Sequence, residues 1–115
     1  MANTFKVVTK AGVTSADVIY TVAGSTTTII LGLIIGNTTS GAITGTVTLG
    51  TDTANRAGAN DETNQDVELI TTAAIPGNSS LELLSGNKIV METTDTLSVT
   101  GSAAVDVALS ILEIT

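Results

Sequence analysis

The chain has 115 residues with no His, no Cys and no Trp, one Tyr (Tyr20), one Phe (Phe5), and four basic residues against eleven acidic ones. The formal charge of −7 argues against a nucleic-acid partner, because phosphate recognition needs clustered Lys and Arg. Lack of Cys excludes a disulfide framework and thiol chemistry, and 43% hydrophobic residues exclude a disordered chain.

In chain order, the apolar residues are β-branched and recur at a spacing of two, with no helical period over three turns. Residues 5–9 (FKVVT) predict a first short strand and 17–22 (DVIYTV) a second, closed by Ala23-Gly24-Ser25. The third, 26–35, is apolar on both faces. Strict alternation puts Ile29, Leu31, Leu33 and Ile35 on one face and Ile30, Gly32 and Ile34 on the other. A strand with two dry faces belongs in the middle of a sheet whose outer side is covered. Gly32 between two isoleucines suits a bend or the close approach of another backbone.

Asn37 to Gly41 is a turn cluster, followed by the cleanest alternation in the chain: Ile43, Gly45, Val47 and Leu49 inward, Thr44, Thr46 and Thr48 outward. Residues 50–65 have no periodicity and read as a long surface loop. Strand character resumes at 66–75. Pro76-Gly77-Asn78 predicts a turn, most simply type II with Gly77 at positive φ. Residues 81–84 and 88–91 flank Ser85-Gly86-Asn87 as a hairpin. Thr93-Thr94-Asp95 turns the chain into 96–100. A final strand from Val105 to Ile114 turns Val105, Val107, Leu109 and Ile111 inward. Eight or nine short antiparallel strands with frequent turns predict an all-β fold, a single jelly-roll-like β-sandwich domain over 1–115. Residues 1–10 form an N-terminal arm or edge strand.

With 2% aromatic residues the core must be aliphatic, each side chain contributing ~1.5–3 kcal/mol on full burial. The 13% of charged residues is about half the usual share. The surface is therefore largely Thr, Ser, Asn and small apolar groups. A thin core and such a surface both point to self-association. The N-terminus lacks the apolar stretch of a secretory signal, and the longest apolar run, 29–35, is far short of a membrane span. No membrane partner is expected.

Catalysis has few candidates. Ser15, Ser25 and Ser110 have no His to activate them, and no phosphate-binding glycine motif is present. Asp61, Glu62, Asp66 and Glu68 put four acids within eight residues, but no aromatic lies near to stack a sugar. Asn60, Asp61, Asn64 and Asp66 offer oxygen ligands for a calcium ion, with Asp61 and Asp66 the weak candidates. Their spacing departs from the EF-hand pattern, and solvation of a surface loop is the simpler reading. Lone aromatics in strands usually belong to a core, which is the ordinary reading of Phe5 and Tyr20. Lys6 and Lys10 share one strand face, as a contact to an acidic partner or as guards of a sheet edge. No catalytic residue and no cofactor is expected.

Several segments together carry a resemblance: the start Met1-Ala2-Asn3-Thr4-Phe5-Lys6, then Val18 to Thr27, Ile30-Leu31-Gly32-Leu33 and Asn37 to Ser40. Ala74-Ile75-Pro76-Gly77-Asn78-Ser79-Ser80-Leu81, Thr94 to Thr100 and the closing Leu112-Glu113-Ile114-Thr115 complete it. In this order they resemble a family of small virion structural proteins of tailed bacteriophages, common in marine and cyanobacterial phages. The resemblance covers most of the chain outside 50–65. It implies a β-sandwich on the outside of the particle, often a homotrimer. The chain would be made in the host cytoplasm, with the major capsid protein or another virion protein as partner and no catalytic or cofactor residues. A capsid decoration, or cement, protein is the expected role. The rivals are a tail, neck or baseplate accessory protein and a carbohydrate- or cell-surface-binding module. Phe5, Ile30, Gly32 and Ile34 are the interface candidates.

Overall fold

The computed structural model describes residues 2–51, 65–84 and 86–115. Nine strands follow one another: β1 (Asn3–Val13), β2 (Asp17–Thr21), β3 (Thr27–Asn37), β4 (Ile43–Gly50), β5 (Asp66–Ile75), β6 (Ser79–Leu83), β7 (Ile89–Met91), β8 (Thr96–Gly101) and β9 (Val105–Ile114). They form two antiparallel sheets, β1-β9-β3-β6 with β7 also on β3, and β2-β8-β4-β5. The sheets pack face to face as a β-sandwich.

The expected hairpin between β6 and β7 is not formed. Both strands pair with β3, β6 along Leu33–Asn37 and β7 along Thr28–Ile30. They are two pieces of one edge strand, separated where Leu84 and Gly86 take φ of 63° and 84°. With β6 and β7 counted as one strand, the pairs nest: β1 with β9, β2 with β8, β3 with β6/β7, β4 with β5. That nesting is the jelly-roll order.

Alternation fills the interior as expected in two strands. Ile43, Val47 and Leu49 of β4 and Val105, Val107, Leu109 and Ile111 of β9 are all buried. In β3 the strict alternation fails. The register to β9 shifts between Ile30 and Gly32, leaving Leu31 as an extra residue. A bulge of this kind restarts the alternation on the same face. Thr28 and Ile30 before it, and Leu33, Ile35 and Asn37 after it, therefore all point inward.

Polar ties fix both ends of the sandwich. The side-chain amide of buried Asn37 donates to the carbonyls of Gly41 (2.8 Å), Ile75 (3.0 Å) and Pro76 (3.1 Å). Its Oδ1 accepts from the Thr39 N–H (3.0 Å) and hydroxyl (2.7 Å). The 76–78 turn thereby docks on the 38–41 turn. Asn78, not Gly77, takes the positive φ, at 55°. Gly77 is needed for space instead, since a Cβ there would collide with the Ser40 carbonyl. The expected turn at Thr93-Thr94-Asp95 is present, and the Asp95 carboxylate accepts from the Glu92 N–H at 2.9 Å.

Candidate interaction face

In an antiparallel ladder, residues directly opposite one another point to the same side of the sheet. The register therefore gives the composition of each outer face row by row. On the β1-β9-β3-β6/β7 sheet, one complete row is Phe5, Leu112, Ile29 and Val90, apolar across every strand. The next is Val7, Ser110 and Gly32. Then come Thr9, Ala108, Ile34 and Glu82, followed by Asp106, Gly36 and Ser80. Asn3, Ile114 and Thr27 close the other end, where the Thr27 hydroxyl donates to Glu92 at 3.4 Å. Among the described residues, the acids on this face are Glu82 and Asp106 within the rows and Glu92 beside Thr27.

Four large apolar residues stand out on this face: Phe5 73%, Val7 63%, Val90 48% and Ile34 44% exposed. Between the Phe5 row and Ile34 run the small residues Ser110, Gly32 and Ala108, so the surface has a ridge with a trough beside it. The space above Gly32 is open, with nothing of this chain within 4 Å of where a Cβ would stand. The backbone bend expected at Gly32 is present as the bulge, but no backbone of this chain approaches it.

Three of the four interface candidates, Phe5, Gly32 and Ile34, converge on this face. Ile30 does not: it is fully buried, because the bulge at Leu31 turns it into the core. Phe5 in turn is no core residue, because β1 is an edge strand and pairing with Leu112 turns Phe5 outward. Val7 and Val90 were not singled out from the sequence. The signal for Val7 was present, since it shares the face of β1 opposite Lys6 and Lys10. Val90 had none, because its place in the Phe5 row depends on β7 joining β3.

The strand that carries Phe5 and Val7 is held mainly by its backbone. Every residue of β1 from Asn3 to Gly12 is exposed except Val8, which is half-buried against the core, and only Val13 is fully buried in it. Lys6 anchors it through an ion pair with Glu113, Nζ to Oε1 2.6 Å. Glu113 in turn accepts from the Tyr20 hydroxyl at 2.5 Å, and the Thr28 hydroxyl lies 2.7 Å from that phenol. Tyr20 belongs to the opposite sheet, so this cluster ties β1, β9 and β3 to β2. Hydrogen bonds from Lys6 and Tyr20 hold the Glu113 carboxyl below its ordinary range. Burial, with the bond to Glu113, pushes the Tyr20 phenol up to about 12. Lys10 lies 3.8 Å from Asp17. The acidic partners of both lysines are thus in the same chain.

The other sheet's outer face differs in kind. Its rows read Thr21, Thr96, Gly50, Asp66 and Val18, Ser98, Thr48, Glu68, with Thr100 and Thr46 beyond. Of the calcium candidates, Asp66 lies here at the start of β5, two residues from Glu68, while Asn60, Asp61 and Asn64 lie outside the described residues. Among the described residues no group of three or more His, Cys, Asp or Glu comes together. The long loop expected at 50–65 also lies mostly outside them; its ends meet where the Thr51 N–H donates to the Gln65 carbonyl at 2.8 Å. Among the described residues, no helix is long and apolar enough to cross a membrane.

No protein-family model and no curated protein matches the chain. Among solved structures it is similar to one of the disulfide-linked pili of Bacillus endospore appendages, at 15% identity and a TM-score of 0.48. The match covers 97% of this chain and 84% of that one, a likeness too distant to carry an activity or a partner across.

Proposed function

We propose that this chain is a non-enzymatic structural subunit of a phage virion: a capsid decoration protein that binds the outside of the head and stabilises contacts between major capsid subunits. One observation carries the reading of a subunit that works by assembling with other protein chains, the uncovered apolar face around Phe5, Val7, Ile34 and Val90. An outer sheet face built this way gains by being covered with protein, at ~25 cal/mol per Å² of apolar surface removed from water. The phage setting, the head location and the homotrimer come from the sequence resemblance. They fit a chain that turns a polar Thr-rich face to solvent on its other side.

The test is to add labelled protein to tailless heads and image them. Regular sites on the head surface, together with heads that withstand more heat or chelator when coated, support the proposal. Binding confined to tails or necks overturns the decoration role and favours a tail accessory protein.

A further inference from the structure

We infer that the apolar outer face of the β1-β9-β3-β6/β7 sheet is covered by further copies of this chain. They stand in a closed ring about an axis running along the strands, so that Phe5 at one edge of the face meets Val90 at the opposite edge of the neighbouring copy. This rests on reading the chain as a self-associating structural subunit, and not on where in a virion it sits.

Three observations lead there. The first is the Phe5, Leu112, Ile29, Val90 row, which is apolar from one edge of the face to the other at a single height along the strands. Rotation about an axis parallel to the strands preserves height. The apolar rows of all copies then join into one belt, with Leu112 and Ile29 turned toward the axis.

The second is charge. On a chain of −7, most surfaces repel a second copy, but this face holds few acids: Glu82 and Asp106 away from the belt, and Glu92 at its edge, held by the Thr27 hydroxyl. The two edges are also unlike. β1 turns Asn3, Phe5, Val7 and Thr9 to this face, with Lys6 and Lys10 on its other side paired to Glu113 and Asp17. The opposite edge carries Glu82 and Glu92 against Lys88. In the ring, Glu82 of one copy arrives at the height of Thr9 in the next, clear of the neighbour's Phe5 row. A two-fold axis across the strands does the reverse. At full overlap it lays β1 on β1 and the Phe5 row on the row that holds Glu82, setting apolar side chains against a carboxylate.

The third is size. Four strands ~4.8 Å apart and about nine residues long at ~3.3 Å each give a face of roughly 600 Å² in plane. The accessible surface of side chains on such a plane is larger, and the ring divides it between two neighbours, so the two contacts of each copy together approach the ~800 Å² per partner of a standard stable interface.

The chain lacks cysteine, so the contact can be tested with the double variant F5C/V90C. Within one copy these positions are three strand spacings, about 14 Å, apart, beyond the ~7 Å limit for a disulfide. Both side chains are exposed, so the substitutions spare the core. The expected result after mild oxidation is a covalent closed oligomer on non-reducing gels, with F5C and V90C alone remaining uncrosslinked. Phe5→Glu should weaken self-association by about tenfold or more, as for a buried interface anchor. Crosslinking of F5C to itself would place Phe5 against Phe5 and overturn the ring. So would an oligomer by native mass spectrometry in which F5C/V90C does not crosslink. A monomer at micromolar concentration overturns it as well, and if that monomer still decorates heads the proposed function survives without it.

Discussion

The two outer faces of this sandwich are both made by antiparallel strands rich in β-branched residues, yet they present different chemistry. On β2-β8-β4-β5, threonine and serine dominate the outward positions, as with Thr44, Thr46 and Thr48 between inward Ile43, Val47 and Leu49. Asp66, Glu68 and exposed Val18 join them there. On β1-β9-β3-β6/β7, the outward positions include the large apolar Phe5, Leu112, Ile29, Val90, Val7 and Ile34 among small and polar residues. A hydroxyl and a methyl on the same β-branched carbon suit the pleat almost equally, so strand formation does not choose between them. Contact with water does. A Thr-lined face stays solvated, while an Ile, Val and Phe face gains free energy when something covers it. The difference between the faces is thus a division of labour within one small domain, one side finished for solvent and the other for protein.

The sharpest way to break this comparison is within β3, where Ile30 and Ile34 lie four residues apart on opposite sides of the sheet. Ile30→Ala should cost about 2–5 kcal/mol in urea unfolding, the cost of a cavity in a packed core. Ile34→Ala should change monomer stability by about 0.5 kcal/mol or less. Similar costs at both positions would mean that the bulge at Leu31 does not divide the strand as described. Next in size is Asn37→Ala, which strips partners from the buried carbonyls of two turns. It should cost ~1–3 kcal/mol, measured the same way.

The cluster that holds β1 should give stability a dependence on pH at both ends. Lys6 and Tyr20 favour the ionised form of Glu113 in the fold, so its contribution is present above the ordinary carboxylate value and is lost as pH falls through its lowered one. Burial favours neutral Tyr20, so its contribution is complete below 10.0 and disappears as pH rises through about 12. Urea midpoints against pH should show both arms, Glu113→Gln flattening the acid one and Tyr20→Phe the alkaline one. Unchanged arms in these variants would remove the cluster from the account of how β1 is held.

The smallest effect on stability comes from exchanging the chemistry of the faces. Ile34→Thr and Thr48→Val should each move stability by about 0.5 kcal/mol or less. Sedimentation should separate them: Ile34→Thr weakens self-association and Thr48→Val leaves it unchanged. If neither affects association, the two faces are equivalent in solution and the contrast between them has no assembly role.

Much of the architecture was legible because period-two alternation needs only local information. The inward sets of β4 and β9, the turn at 93–95 and the all-β class follow from spacing and turn chemistry alone. The candidate face was only partly legible. Phe5, Gly32 and Ile34 stood out as apolar or small residues on strands with too many apolar positions. Ile30 was wrongly grouped with them, since a one-residue bulge reverses every assignment beyond it and leaves no mark in composition. The joining of β6 and β7 to β3 was equally hidden. A turn between two short strands looks the same whether they pair with each other or share a third.

By itself, the sequence determined that this protein is built of β-strands with an aliphatic core. It also determined that its chemistry lacks thiols and imidazoles and that its surface carries little charge. These are properties of residue type and spacing, read one segment at a time. Only the tertiary structure decided that Phe5, Leu112, Ile29 and Val90 form one row, that Ile30 is inside, and that Tyr20 reaches Glu113 across the sandwich. Each of these joins residues from strands distant in the chain, and the pairing register that brings them together belongs to the whole fold rather than to any segment of it.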